Sequence, residues 1–223
     1  MAVVFNDGCY RLNGFNCNQF DSTGVTISCW IRYDVTPSIT QRPWGAANYF
    51  ELRSNTEGGG GQLNWANDMY STAGTYGTTV PQLGQWYNVV CTGSSPALGD
   101  FNELWVNGVR EAVTNTNVNE TSSYLEIGSS RGLSEYMQGA MEDFRIYNRV
   151  LSQKEIETIH SCDGTDGILE GLIYWWPLND SAPGTSSPFP TDIVTGASNL
   201  VRRGNSDPVY AEGIIRPFRR GQR

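Results

Sequence analysis

The fold class is predicted most directly by residues 139–156, whose sequence is Gly139-Ala-Met-Glu-Asp-Phe-Arg-Ile-Tyr-Asn-Arg-Val-Leu-Ser-Gln-Lys-Glu-Ile156. Its first half is rich in apolar and aromatic residues and predicts a β-strand. Its second half predicts the start of a helix, because Ser152 and Glu155 have the spacing of a capping box. Leu151 and Ile156 then occupy the positions of a hydrophobic staple. The stretch therefore predicts a strand followed directly by a short helix.

Alternation of apolar and polar residues marks the other strands. Val25-Thr-Ile-Ser-Cys-Trp-Ile-Arg32 places four apolar side chains on one face, as in a half-buried strand. Asn107-Gly108 lies between two such segments and suits the type I′ turn of a β-hairpin. Asn6-Asp7-Gly8 predicts a second hairpin in the same way. Further strands are predicted at 49–53, 62–66, 86–92, 124–127 and 172–178.

These strands and turns, without intervening helical patterns, predict an all-β antiparallel sandwich of the jelly-roll type with one short helix. The 223 residues suffice for one such domain, and the sequence has no apolar run long enough to cross a membrane. We expect the domain to occupy residues 1–180, with 172–178 as its closing strand. Residues 181–223 are expected to form a Pro/Ser/Gly-rich loop and an extended basic tail.

The charge is unevenly distributed along the chain. The formal net charge is −8, yet residues 200–223 carry six arginines against two acidic residues. An acidic body with a basic tail suggests separate roles, although the tail can equally be a solvated chain end. Nucleic acid is not expected as a partner, because few aromatic residues accompany the arginines. The arginines expected to dock on an acidic protein neighbour are Arg202, Arg203, Arg216, Arg219, Arg220 and Arg223.

The five cysteines show no CxxC spacing, so a zinc site is not expected. Cys29 and Cys91 lie within strand patterns and are expected to be small core residues. Cys9 and Cys17 could pair across a hairpin, while the odd count and the absence of a signal peptide favour mostly free thiols.

Three segments together resemble the laminin-G-like branch of the concanavalin-A-like lectin and glucanase family. They are residues 139–156, Trp86–Thr92 followed by Leu104–Val109, and Phe5–Gly8 followed by Val25–Ile31. The resemblance covers roughly residues 2–160 and implies the jelly-roll sandwich. The family includes lectins, adhesion modules, pentraxin-like proteins and glycoside hydrolases, so the fold alone does not decide the function.

Catalysis is not expected. A glycosidase needs two carboxylates about 5–10 Å apart, and the hydrolase branch of the family places them on one strand as Glu-x-Asp-x-x-Glu, which this sequence lacks. Glu51, Glu103 and Glu126 fall on separate predicted strands. His160, the single histidine, lies on the predicted helix, where a Ser-His-Asp triad is not expected.

Calcium is the ion that the resemblance implies. Asp143 occupies the motif position that lies near the first strand in calcium-binding family members, and Asn6 and Asp7 could meet it there. The alternative is a structural Asp143 that pairs with Arg145 or Arg149.

Aromatic and polar residues suited to sugar binding are concentrated in the glycine-rich middle of the chain. The alternative for Trp65 and Tyr49 is a place in the core. The expected ligand-binding residues are Trp44, Tyr49, Trp65, Asn67, Asp68, Tyr70 and Tyr76.

Two functions follow as hypotheses. The first is a structural or adhesion protein exposed on a larger assembly, such as a phage head-decoration, capsid-associated or tail protein that also binds glycans. The second is a free, calcium-assisted carbohydrate-binding lectin. The first predicts capsid or tail proteins, or further copies of the chain, as partners, and a virion or post-lysis extracellular location after synthesis in the cytoplasm. Neither involves a membrane.

Overall fold

The computed structural model describes residues 2–35, 40–46, 50–54, 61–66, 74–94, 99, 101–115, 122–130, 135–162, 166–179, 190–196, 200–204 and 208–211. Within these residues, fifteen strands form two antiparallel sheets, and one α-helix follows the twelfth strand. The predicted all-β sandwich with one short helix is therefore confirmed.

Among the described residues, sheet A has eight strands, and seven of them form one continuous order. The order is β10 (Val109–Thr114), β9 (Asn102–Val106), β8 (Trp86–Gly93), β3 (Val25–Tyr33), β12 (Gly139–Tyr147), β1 (Ala2–Phe5) and β15 (Val209–Ala211), with β13 (Leu172–Trp176) also paired to β12. The register pairs β1 with the beginning of β12 and β13 with its end. These two short strands therefore lie in line along the same edge of β12.

Sheet B has seven strands among the described residues. The order is β14 (Leu200–Gly204), β2 (Gly8–Asn13), β11 (Tyr124–Ile127), β4 (Gln41–Ala46), β5 (Phe50–Ser54), β6 (Leu63–Ala66) and β7 (Thr75–Tyr76). Because β1 belongs to sheet A and β2 to sheet B, Asn6-Asp7-Gly8 carries the chain from one sheet to the other. The predicted hairpin at this turn is wrong, since a short turn signal does not distinguish a hairpin from a crossing between sheets.

The hairpin at Asn107-Gly108 is confirmed. Asn107 has φ of 51° and Gly108 has φ of 75°, which is the pair of positive angles that a type I′ turn requires. The turn joins β9 to β10, and Val106 pairs with Val109 across it.

A chain of aromatic rings joins the two sheets through the core. Phe50 contacts Trp44 and Trp65 on sheet B, with ring centroids 5.6 and 6.1 Å apart. Phe144 of sheet A contacts Trp44 at 6.2 Å and Trp176 at 6.1 Å. Each of these rings removes a large apolar area from water, so this chain is a major source of the stability of the sandwich.

Helix α1 (Gln153–Ser161) packs on the outer face of sheet A. Ser152 caps it, and Glu155 completes the predicted capping box. Ile156 and Ile159 pack against Val90, Trp105 and Tyr147. In the described part of the chain, no helix is long and apolar enough to cross a membrane.

The chain beyond residue 180 contributes more to the sandwich than the sequence suggested. Residues 200–204 form β14 beside β2, and residues 209–211 form β15 beside β1. Leu200 is buried in the core, and the carboxylate of Asp192 accepts hydrogen bonds from the backbone N–H groups of Trp175 and Val194. The expected loop and tail over 181–223 therefore includes two edge strands, which were too short to show a period-2 pattern.

Candidate functional site

The predicted sugar-binding aromatics are divided between the core and the surface. Trp44 and Trp65 are buried in the aromatic chain between the sheets, so they have no ring face available to a ligand. The expectation that Trp44 and Trp65 bind a ligand is therefore wrong. Both side chains point into the core from β4 and β6, and the neighbouring glycine-rich segment did not reveal this in the sequence. Tyr76 on β7 is 37% exposed. Tyr49, Asn67, Asp68 and Tyr70 lie outside the described residues.

The predicted calcium ligands do not come together. In the pairing of β1 with β12, Phe5 lies opposite Gly139 and Val3 lies opposite Met141. Asn6 and Asp7 therefore follow one end of the paired segment, and Asp143 lies beyond the other end. Five strand positions at about 3.4 Å each separate Asn6 from Asp143, about 17 Å. The expectation of a shared calcium site is corrected by this register.

Asp143 has protein partners instead, and this was the structural alternative. Its Oδ1 accepts hydrogen bonds from Arg145 Nε at 2.8 Å and Trp175 Nε1 at 2.7 Å. Arg145 also pairs with Asp166 at 2.9 Å, and its guanidinium lies 4.6 Å from the ring centroid of Trp175. In the part of the chain that the structure describes, no group of three or more His, Cys, Asp and Glu residues is arranged to hold a metal ion.

The two described arginines of the expected docking set lie on the edge strand β14. Arg203 is exposed and Arg202 is partly buried. Arg216, Arg219, Arg220 and Arg223 lie outside the described residues.

None of the five cysteines, all of which the structure describes, forms a disulfide, so the pairing considered for Cys9 and Cys17 is not formed. Cys29 and Cys91 are buried in the core as predicted. Burial, followed by the nearby Glu126 carboxylate, raises the pKa of Cys9 to about 12.

The outer face of sheet B carries a concentration of charged and amide side chains that sequence reasoning did not assemble. In β5 and β6 the apolar residues Leu52, Leu63 and Trp65 point to the core, so the alternate residues point away from it. The same alternation holds in β2 and β11. The side chains that form this polar face of sheet B are Arg11, Arg42, Glu51, Arg53, Asn64, Tyr76, Tyr124 and Glu126.

The first part of the polar face is an ion pair between β2 and β11. Arg11 lies directly opposite Glu126 and forms an ion pair with its buried carboxylate. The Arg11 guanidinium also lies 4.1 Å from the ring centroid of Tyr124. The Glu126 charge is thereby compensated at the position where it is buried.

The second part surrounds Glu51, which is also buried. Arg42 Nε lies 2.9 Å from the carboxylate, and the Ser130 hydroxyl donates to the same oxygen, Oε2, at 2.8 Å. Arg42 also pairs with Glu135. Gly45 lies opposite Glu51, and any side chain there would collide with Ser130. The absence of a side chain at Gly45 therefore allows Ser130 to reach Glu51.

Glu51 and Glu126 are closer than their places in the sequence suggested. Glu126 and Glu51 both lie opposite Gly45, one on each side of it. Two strand spacings put their Cα atoms about 9.6 Å apart. Both carboxylates form ion pairs with guanidinium groups, Glu51 with Arg42 and Glu126 with Arg11.

The third part is a row of three side chains across β5, β6 and β7, which we call the open row. Arg53 lies opposite Asn64, and Asn64 lies opposite Tyr76, so the three share one face with neighbouring Cβ atoms about 5 Å apart. Asn64 is fully buried, yet neither its Oδ1 nor its Nδ2 has a hydrogen-bond partner. Arg53 Nε is also buried without a partner. Gly74 packs so closely on the Asn64 amide that a Cβ at position 74 would overlap with it.

Sequence reasoning included Tyr76 but missed Asn64 and Arg53. The signal was the alternation Leu63-Asn64-Trp65, which places an amide between two core residues and on the opposite face. The pairing of β5, β6 and β7 into one sheet was needed to bring the three residues together.

The fold has the features of a concanavalin-A-like sandwich. These are two antiparallel sheets, a helix after β12 and a polar outer face on one sheet. The model of the family described as the concanavalin A-like lectin/glucanases superfamily matches residues 10–157, and the chain belongs to this family. Comparison with curated proteins gave no match.

Several solved structures share the fold at low sequence identity. A putative carbohydrate binding protein from Bacteroides ovatus superposes with a TM-score of 0.66 at 17% identity, over 94% of this chain and 61% of that one. A heptameric SAP-like pentraxin from Limulus polyphemus gives 0.57 at 16% identity, over 76% of this chain and 87% of that one. Trypanosoma rangeli sialidase gives 0.50 at 20% identity, over 66% of this chain and 24% of that one. At these identities the similarity establishes the fold alone.

Proposed function

We propose that the chain is a non-catalytic carbohydrate-binding domain whose ligand contacts the open row Arg53–Asn64–Tyr76. The observation that carries the proposal is the Asn64 amide, which is buried without a hydrogen-bond partner beside the exposed ring of Tyr76. The family and the fold shared with a putative carbohydrate binding protein from Bacteroides ovatus support the same function.

The chemistry of the row suits a sugar. Hydroxyl groups of a sugar can both donate and accept hydrogen bonds, and the Asn64 amide has one acceptor and two donor hydrogens to offer. The C–H face of a pyranose packs well on an aromatic ring such as that of Tyr76. A buried polar group left without a partner costs about 1–3 kcal/mol, and a ligand that supplies the partner recovers this cost.

The carboxylates of the polar face favour binding over hydrolysis. A glycosidase needs one carboxylic acid that is protonated at the start of the reaction. Glu51 and Glu126 are each engaged in an ion pair with an arginine, so neither carboxylate is available to act on a glycosidic bond. We therefore propose that these ion pairs stabilise the face on which the ligand rests.

A glycan array with the full chain tests the proposal. The wild-type protein is expected to bind at least one class of glycan, in calcium and in EDTA alike. Tyr76→Ala and Asn64→Ala should lose that binding, while Trp86→Ala and Asn88→Ala on sheet A should retain it. Trp86 and Asn88 are matched controls, because one is an aromatic beside an arginine and the other a buried amide. Binding that survives both sheet B substitutions would contradict the assignment to the open row.

A second role, in a larger assembly such as a phage virion, is favoured by the edge of the sandwich at β14. This strand pairs with β2 on one side, and Val201 and Arg203 are exposed on it. An exposed edge strand with an arginine can pair with a neighbouring protein. Light scattering of the wild type and of Arg203→Glu tests this role, because Arg203 is exposed on β14. Assembly by the wild type alone would support docking through β14, and two identical monomers would contradict self-assembly through it.

A further inference from the structure

We infer that the open row selects a neutral sugar with two adjacent free hydroxyl groups, and that it discriminates against glycans that bind through a carboxylate or sulfate. This inference rests on the proposed function and adds the class of ligand to it.

The hydrogen-bond donors and acceptors of the row that lack partners match a pair of neighbouring hydroxyl groups. Arg53 Nε–H and the Asn64 Nδ2 group are donors without a partner, and Asn64 Oδ1 is an acceptor without one. A hydroxyl can accept from Arg53 Nε while it donates to Asn64 Oδ1, and its neighbour can accept from Asn64 Nδ2. A carboxylate or sulfate offers acceptors only, so it would leave Asn64 Oδ1 buried and unpaired. That residual cost falls on the anionic ligand and not on the diol.

The charge of the surrounding face does not favour an anionic ligand. The described basic side chains around the row do not outnumber the acidic ones. They are Arg11, Arg42 and Arg53 against Glu51, Glu126, Glu135 and Glu111, and the Glu111 carboxylate accepts hydrogen bonds from Thr78 and Thr79 beside Tyr76. Arg53 Nη1 already lies 3.7 Å from the Glu51 carboxylate. The face therefore has no excess positive charge to attract an anion, and the whole chain, at −8, repels one.

Tyr76, at the end of the row, offers an exposed aromatic ring to a ligand. It lies opposite Asn64 and is more exposed than the other two side chains. A sugar ring whose hydroxyl edge is bonded by Asn64 can lay its C–H face on Tyr76, and this contact depends on apolar C–H groups and not on ligand charge.

The experiment compares neutral oligosaccharides with the same cores extended by sialic acid, uronic acid or sulfate. The array is followed by calorimetry of the full chain with the best neutral glycan, in low salt and in about 1 M NaCl, where charge interactions are screened within a few ångströms. We expect neutral glycans to bind with little dependence on salt. Monodeoxy analogues should lose about tenfold or more in affinity at two adjacent positions and little elsewhere.

Asn64→Asp is the protein variant, because it replaces the donor group by an acceptor at nearly unchanged shape. It should lower the affinity for the neutral glycan about tenfold, with folding checked by circular dichroism, whereas Asn88→Asp on sheet A should not. Binding restricted to anionic glycans and weakened by salt would overturn this inference and leave carbohydrate binding intact. Binding of no glycan at all would overturn both.

Discussion

At the scale of single residues, the buried amide of Asn64 is not explained by its contribution to stability. Its amide is buried between Gly74 and the neighbouring strands without a hydrogen-bond partner, and an apolar side chain of similar shape would not pay that desolvation cost. Residues that are kept against stability are typical of binding sites, where the missing partner comes from the ligand.

Asn64→Leu should therefore stabilise the protein and remove glycan binding at the same time. We expect the free energy of unfolding to rise by about 1–3 kcal/mol, since two unpaired polar atoms are replaced by methyl groups. Urea unfolding measures the first effect and a glycan array the second. Loss of stability together with retained binding would show that the amide is satisfied within the protein.

Cysteine reactivity tests the packing around the thiols. Burial raises the pKa of Cys9 to about 12 and raises those of Cys29 and Cys91 well above their ordinary value, so their thiolates are scarce near neutral pH. Cys17 is buried as well, and Cys162 is partly exposed. A thiol reagent followed by mass spectrometry should modify the native protein at Cys162 alone, and all five cysteines after denaturation.

At the scale of elements, the capping box of helix α1 is the feature that the sequence specified most fully. Ser152 accepts from the Glu155 backbone, and the Glu155 carboxylate accepts from the Ser152 N–H at 2.8 Å. Arg149 also pairs with that carboxylate, and this hydrogen bond is the main reason that the pKa of Glu155 falls from 4.5 to about 2.

The stabilising effect of Glu155 should therefore depend on pH in a defined window. A lowered pKa in the folded state gives a contribution that is complete above the unfolded value of 4.5 and is lost as the pH falls to about 2. Urea unfolding of the wild type and of Glu155→Gln should differ at pH 6 and converge near pH 2, by an amount reduced by solvent screening. An equal difference at both pH values would contradict this account.

The elements that could not be predicted from the sequence are those that lack a local pattern, such as alternation or turn residues. The strand β3 and the hairpin at Asn107-Gly108 were predictable, because alternation and turn chemistry are local. The two short strands β14 and β15 were not, because their pairing partners lie about 190 and about 207 residues earlier in the chain, respectively. The open row has the same origin, since Arg53, Asn64 and Tyr76 meet only through strand pairing.

At the scale of the whole molecule, the chain closes its sandwich with its own C-terminal strands. Leu200 belongs to the core, and β14 and β15 extend sheets B and A. Residues 1–211 retain both strands, so this truncation should be far more stable than residues 1–199, which lack them. Thermal unfolding of both truncations measures this difference. Equal melting temperatures would show that the last strands add nothing to the fold.

Sugar binding by the open row on sheet B can be observed at the Asn64 side chain itself. The most direct measurement is the NMR signal of the Asn64 side-chain amide, assigned by its loss in Asn64→Leu, during titration with the best neutral glycan from the array. We expect the Asn64 amide proton signals to shift as the glycan is added and the Asn88 amide proton signals to remain in place. A glycan that binds while the Asn64 signal remains unchanged would contradict the claim and move the site elsewhere on the sandwich.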